Sequence, residues 1–384
     1  MYDQSDRYSE KVGKKLEEDV FNALLWIAEG FFKLSSEDLE KTEENLDFVH
    51  ENSLIFLYRL LFLFYADSKG LLLSDLPEAY EDEYSFSKWV DDILEEKNRG
   101  CLSEGNWIYH QRLSKIFDLI NKGSDCLDLP KEDLYISAYN GGLFDPEKHP
   151  FLEDKIIQDD HLAKVVELLA NSGIKENEWM GGKIDYSDLS LRHIGGIYEG
   201  LLEYELKIAS EDLVTKRSRG SLKWVPVRRT NKDFYCYDKD SRVREGEVYL
   251  ATDKNERRAT GSYYTPDHIV EHIVKSSIDP IIDDKINRAK NEDEDIEQIL
   301  SIDVLDPAMG SGHFLIETID HMAARLAEYA PNGDVEYERD IDWAKRKIAK
   351  NCIYGVDINP LATELAKVTV WLNIIEKDKP LSSI

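Results

Sequence analysis

Apolar residues recur at helical spacing through most of the first half of the chain. Leu16, Val20, Phe21, Leu24, Leu25, Ile27, Ala28 and Phe31 fall three and four apart, which predicts an amphipathic helix over 12–34. Residues 51–65 predict a second helix, apolar on more of its circumference and so more deeply buried, with Gly70 breaking the pattern. Further helices are expected over 86–94, 107–120 and 161–170, a short one opening at Pro130, and one or two over 189–206 around Gly195-Gly196. Gly141, Gly142, Pro146 and Pro150 mark a turn-rich loop. The pattern changes at Val214, where Trp224–Val227, Phe234–Tyr237 and Val248–Leu250 read as short strands between turn residues. From Ser262 onward helices and short apolar strands alternate, the order of an α/β domain with a parallel sheet.

Composition narrows the class. The chain has 384 residues, of which 42% are hydrophobic, enough to bury the core of two domains. Its most apolar run, Leu54–Tyr65, is shorter than the roughly 20 residues a membrane span needs and contains Arg59, so it reads as a buried helix with no membrane role. The polar first ten residues are unlike a signal peptide. Cys101, Cys126, Cys236 and Cys352 form no C-x-x-C pair, which removes a zinc or redox motif and suits a reduced, cytoplasmic protein. A net charge of −29 excludes a surface that coats nucleic acid everywhere. One stretch runs the other way: 214–258 holds thirteen Lys or Arg against seven Asp or Glu, among them Lys216, Arg217, Arg219, Arg228, Arg229, Arg257 and Arg258. It fits either a solvated hairpin or a local nucleic-acid contact.

Three short stretches carry chemistry. The strand Ile302–Leu305 ends at Asp306 and is followed by Pro307-Ala308-Met309-Gly310-Ser311-Gly312 and a helical run from Phe314. The glycines let backbone turn tightly and approach a ligand, and the helix start offers unpaired N–H groups to polar ligand atoms. A second strand, Cys352–Val356, ends at Asp357; Ile358 follows, then Asn359 as a helix cap with Pro360 at the first helical position. An acid at that place can accept hydrogen bonds from ribose hydroxyls. Upstream, Tyr264-Thr265-Pro266 opens a helix whose apolar face is expected at Ile269, Ile273 and Val274. A dinucleotide fingerprint fails, because position 315 is Leu where a third glycine belongs and Asp357 lies too far on. A P-loop fails because no G-K-[ST] follows.

Taken together, the Thr265-Pro266 turn, the Asp306–Phe314 loop and the Gly355–Pro360 segment resemble the amino-methylating, adenine-specific DNA methyltransferases. Leu57–Asp67, Tyr139–Phe144 and Ile194–Glu203 resemble the helical connector of the large type IIG restriction–modification enzymes and related phage-defence methylases. The resemblance implies S-adenosylmethionine as cofactor and double-stranded DNA as partner. Tyr264, Thr265 and Pro266 would line the methionine end. Asp306, Pro307, Ala308, Gly310, Ser311 and Gly312 would wrap the amino acid and sugar, with Phe314 packing the loop. Asp357 would take the ribose hydroxyls and Ile358 would lie against adenine. The family's Asn-Pro-Pro-Tyr motif, which holds the flipped base, does not occur: there is no Pro-Pro, and the single Asn-Pro is Asn359-Pro360. No catalytic residue is therefore assigned. The chain is expected to be the cofactor-binding half of a methyltransferase, inactive alone, with a second chain or segment supplying the catalytic motif and target recognition. The alternatives are a non-catalytic fragment, a cofactor-binding subunit of a split enzyme, and a different methyl acceptor such as the cytosine amino group.

The expected fold is a mostly α N-terminal region followed by a partial α/β Rossmann-like methyltransferase domain. The expected division is a helical connector over 1–213, a basic β segment over 214–258 and a partial cofactor domain over 259–384. His268 and His272 read as surface or packing residues rather than metal ligands, His313 as shaping the loop, and Asp303 as a strand-end polar residue. Asp279, Asp283, Asp284 and 292–295 read as a solvated acidic linker, and 334–342 as an acidic surface insertion.

Overall fold

The computed structural model describes residues 2–34, 39–72, 78–124, 138, 142–171, 183–188, 195–197, 200–201, 204–218, 221–227, 242–252, 265–288, 292–329 and 341–374. Its first part is helical: α1 (Tyr2–Leu34), α2 (Glu43–Ser68), α3 (Glu78–Tyr84), α4 (Phe86–Arg99), α5 (Ile108–Lys122), α6 (Pro150–Asp154) and α7 (Asp159–Ala170). The periodicity located most of these. The helix expected at Pro130 and the strand expected at 234–237 lie outside the described residues.

α2 is the axis of the larger core. It starts at Thr42, whose hydroxyl accepts the Asn45 N–H, with Glu43 and Glu44 in the first turn favoured by the helix dipole. From Asn52 to Ala66 every residue is buried, as for a helix packed on all sides. That includes Arg59, which is 1% exposed. Its Nε donates to the Leu143 carbonyl at 2.8 Å, its guanidinium lies over the Phe117 and Phe144 rings, and Glu153 stands 3.5 Å away. Burial pulls its pKa down to about 10, opposed by Glu153. Arg59 thereby fastens the 142–146 turn to α2. α5 has no side-chain cap of its own. Buried Asp159 serves instead, accepting the Ile108 and Tyr109 N–H groups at 2.9 and 3.0 Å across 51 and 50 residues.

A small β region follows. β1 (Tyr204–Ile208) pairs antiparallel with β5 (Val248–Thr252), and β2 (Leu213–Ser218) pairs with β3 (Ser221–Pro226) and β4 (Arg242–Val243). Tyr204–Leu206 had been expected to be helical. Its alternation buries Leu206 against Val248 and Leu250 in the larger core, and pairing with β5 overrides the local helical pattern.

The last part comprises α8 (Asp267–Arg288), α9 (Glu292–Leu300), β6 (Val304–Asp306), α10 (His313–Glu328), α11 (Ile341–Cys352), β7 (Ile353–Gly355) and α12 (Pro360–Ile374). β6 and β7 are parallel, with Val304 opposite Ile353 and Asp306 opposite Gly355. Among the described residues this sheet has two strands, and those residues are mostly helical. A second core joins α8 through α11 beneath the sheet. On α8 it takes Val270, Val274, Ile278 and Ile282, whereas Ile269 and Ile273, expected on the buried face, are 40% and 44% exposed. Asp279 and Asp283 belong to α8 rather than to a linker: Arg325 donates to both at 2.8 Å, and His321 lies 2.8 Å from Asp279.

α12 serves both cores. Leu365, Val368 and Leu372 belong to the larger one, with Trp371 tilted against Phe62 of α2 at 4.8 Å between centroids. Ile374 belongs to the second, and Ala366 packs with Met309 and Leu315.

Candidate functional site

The site is built where β6 and β7 end side by side. β6 stops at Asp306, whose carboxylate accepts the Ala308 N–H at 3.1 Å, an Asx turn that starts the loop. The loop is stitched to the neighbouring strand end by two backbone bonds: Val356 N–H to the Asp306 carbonyl at 2.9 Å and Met309 N–H to the Val356 carbonyl at 3.0 Å. Gly310 and Gly312 both take left-handed conformations, with φ of 53° and 87°. Gly312 then hands the chain to α10, its carbonyl accepting the Ile316 N–H at 2.9 Å.

Asp357 closes the arrangement. One oxygen accepts the Gly310 N–H at 2.9 Å and the other accepts the Asn359 N–H at 2.8 Å. Each carboxylate oxygen has two acceptor positions, so each retains one. Asn359 caps α12, its side chain accepting the Leu361 N–H at 2.9 Å with Pro360 at the first helical position, as the sequence indicated.

Residues that sequence reasoning missed hold this geometry. Met309 is buried and rests directly on Gly355: a Cβ at Gly355 would overlap the Met309 sulfur and lie 2.8 Å from Leu315 Cδ1. A glycine inside a strand is the usual signal for such close approach, and it was available in the sequence. The Thr265-Pro266 turn joins through its first helical residue, since Asp267 lies 3.2 Å from His313 Nε2. The Pro266 carbonyl accepts the Ile269 and Val270 N–H groups, so α8 begins one residue later than expected.

The expected site residues divide by exposure. Pro307, Ala308 and Ile358 are exposed, Ile358 to 89%. Thr265, Asp306, Gly310, Phe314 and Asp357 are half-buried and Pro266 is exposed. Ser311 and Gly312 are buried, Ser311 beside Gly195 and Gly312 beside Ala366. Phe314 packs against the second core. Tyr264 lies outside the described residues. His268 and His272 are exposed on α8. Beside the loop, Leu305 and Tyr354 face away from the second core at 58% and 52% exposure, and Val356 continues that apolar strip at 56%.

Of the basic stretch, the hairpin register sets Lys216 opposite Lys223, and Arg242 pairs with Asp212. Arg219, Arg228, Arg229, Arg257 and Arg258 lie outside the described residues. A cavity of about 460 Å³ opens in the helical part, lined by five acids, Arg99 and Arg112, and it includes none of the motif residues. No helix of the described residues is long and apolar enough to cross a membrane.

Residues 247–382 match the N-6 DNA methylase family, a span that contains the whole site. A protein of Methanocaldococcus jannaschii, named as a type II restriction enzyme and methyltransferase, is 31% identical over 164 residues, covering 35% of this chain. The chain spans only 14% of that relative's length.

Proposed function

With an N-6 DNA methylase segment as premise, we propose that this chain is the cofactor-binding part of an adenine-specific DNA methyltransferase of a restriction–modification or phage-defence system. The observation that carries the reading is the bond from the Gly310 N–H to the Asp357 carboxylate, which draws the glycine loop and the acid of the next strand into one cradle. The residues fit S-adenosylmethionine. The left-handed, half-buried Gly310 leaves backbone open to a ligand without a Cβ in the way. The free acceptor positions of Asp357 suit the ribose hydroxyls, and the exposed Ile358 suits the adenine face. Asp306, Pro307, Ala308 and Gly310 present their open sides to the rest of the cofactor. Ser311, Gly312 and Phe314 support the loop from behind, and Tyr264, Thr265 and Pro266 would close the methionine end. When bound, the cofactor supplies a methyl group on a positively charged sulfur. The chain's own contribution is to hold it in one orientation for in-line transfer to the adenine amino group.

Double-stranded DNA is the proposed substrate, contacted through the basic 214–258 segment. The family's base-holding motif is not among these residues, so a second chain or segment is proposed to bring it and the target-recognition region. The apolar strip Leu305–Tyr354–Val356 supports this, because parallel sheets are ordinarily covered on both faces. A reduced, cytoplasmic setting is consistent with the free Cys101 and Cys352. Isothermal titration with S-adenosylmethionine tests the cradle: the chain should bind, while Asp357→Ala and Gly310→Leu should bind at least tenfold more weakly. Unchanged affinity in both variants would overturn the residue assignments. A methylation assay on the chain alone should show no turnover.

A further inference from the structure

The buried side of the glycine loop is not lined by its own domain alone. Residues 195–197 are helical, and a Cβ placed on Gly195 would stand 3.1 Å from Ser311 Oγ and 3.5 Å from Ser311 Cβ. Ser311 is 3% exposed. A Cβ on Gly312 would stand 3.3 Å from the Ala366 Cβ of α12. The loop tip therefore has a glycine of the helical part beside Ser311 and an alanine of a helix anchored in the larger core beside Gly312. A methyl group added at Gly195 or Gly312 would make a contact tighter than ordinary van der Waals packing. The neighbouring Gly196 has nothing within 4 Å of where its Cβ would be.

We infer that Gly195 is a positioning residue for cofactor binding: by lacking a Cβ it lets Ser311 seat fully, and this fixes Gly310 at the distance from Asp357 that the cradle requires. The coupling path is short. Ser311 follows Gly310, and the Gly310 N–H is the donor to Asp357. Ser311 is buried, and the adjacent Gly312 lies close enough to Ala366 that a Cβ there would stand 3.3 Å from it, so a push of a few tenths of an ångström on Ser311 has little free space to enter. It is passed to Gly310 and loosens the bond to Asp357. The helical part thereby sets the geometry of the site. The inference rests on the cofactor reading given above.

The test compares two adjacent glycines of the full chain. Both Gly195→Ala and Gly196→Ala put a better helix former in a helical or flanking position, so a purely local effect should treat them alike. Gly195→Ala is expected to weaken S-adenosylmethionine binding at least fivefold and to speed hydrogen exchange at the amides of 306–312 in the ligand-free chain. Gly196→Ala should change neither. In a Ser311→Ala background the Gly195→Ala effect on both readouts should largely vanish, because the nearest remaining contact is the ordinary 3.5 Å one. Equal behaviour of the two alanine variants, or a Gly195→Ala effect that persists undiminished beside Ser311→Ala, overturns the inference. Asp357→Ala separates the two readings. If it abolishes binding while Gly195→Ala binds normally, the cofactor reading stands and the positioning role falls. If the unaltered chain fails to bind the cofactor, both fall. Should Gly195→Ala alone fail to fold, the double variant against Ser311→Ala still reads the coupling.

Discussion

Replacing Asp357 by asparagine keeps the shape of the side chain and removes one of the two acceptors the loop depends on. In the folded chain the two carboxylate oxygens accept the Gly310 and Asn359 N–H groups at 2.9 and 2.8 Å. An asparagine carbonyl can satisfy one of them, and its amide nitrogen can only donate. One N–H is then left without its partner, and the other loses a charged acceptor. Hydrogen bonds to charged groups contribute about 1.5–3 kcal/mol each, and partial exposure lets water recover some of that. The ligand-free chain should therefore lose about 1–2 kcal/mol. For a chain of 384 residues this lowers the melting temperature by only about 1–3 °C, so a local readout is sharper. Exchange of the Gly310 and Asn359 amides should accelerate about tenfold, the equivalent of about 1.4 kcal/mol. Asp357→Ala should do the same or more at both amides. If both variants leave ligand-free exchange and stability unchanged and alter only cofactor affinity, Asp357 is a ligand contact alone and its role as the clasp of the loop is refuted.

Other consequences are open to direct measurement. Gly355→Ala forces Met309 off the strand end, an overpacking cost of about 1–3 kcal/mol; urea denaturation should show it, and adding Met309→Ala should return part of the loss if that contact is the cause. His50 and His110 are both pushed down to about 4 by burial, so between pH 4 and 6.5 the unfolded chain binds more protons and stability falls as pH drops through that window. At pH 5 each histidine accounts for about 2 kcal/mol of lost stability. His50→Gln should shrink the difference between pH 7 and pH 5 by that amount, and an unchanged difference would refute the burial account. Leu305→Glu leaves the isolated chain folded and less prone to self-associate, and it should abolish methylation once the completing segment is supplied; full activity there would remove the proposed role of this face.

Much of the site could be read from sequence because its parts are local. A strand ending in an acid, two glycines and a capped helix start are each fixed by a few adjacent residues. The strand end at Asp306, the tight turning at Gly310 and Gly312 and the Asn359 cap formed as read. What the sequence did not disclose depends on partners far along the chain. Apolar residues on α8 make two overlapping stripes, one through Ile269 and Ile273 and one through Val270, Val274, Ile278 and Ile282. Only the packing of α9 to α11 decides which stripe is buried. Tyr204–Leu206 looked helical because its strand partner, Leu250–Thr252, lies far along the chain. Asp279 looked solvated because Arg325 and His321 approach it across 46 and 42 residues. Ser311 and Gly312 carried the residue types of a ligand loop, and nothing local told that Gly195 and Ala366 would lie against them.

α12 gives the protein's ancestry a constraint. One flank of this helix completes the larger core, and its first turn anchors Asp357 through Asn359. A recombination event that exchanged the C-terminal segment while keeping the helical half would have to deliver a helix matching both Phe62 and Ala366's neighbours at once. Exchange of α12 without α2 is therefore expected to be rare, and related proteins that keep one should keep a matching partner in the other. Surveying chimeric relatives for junctions between α2 and α12 would show whether that linkage has been kept.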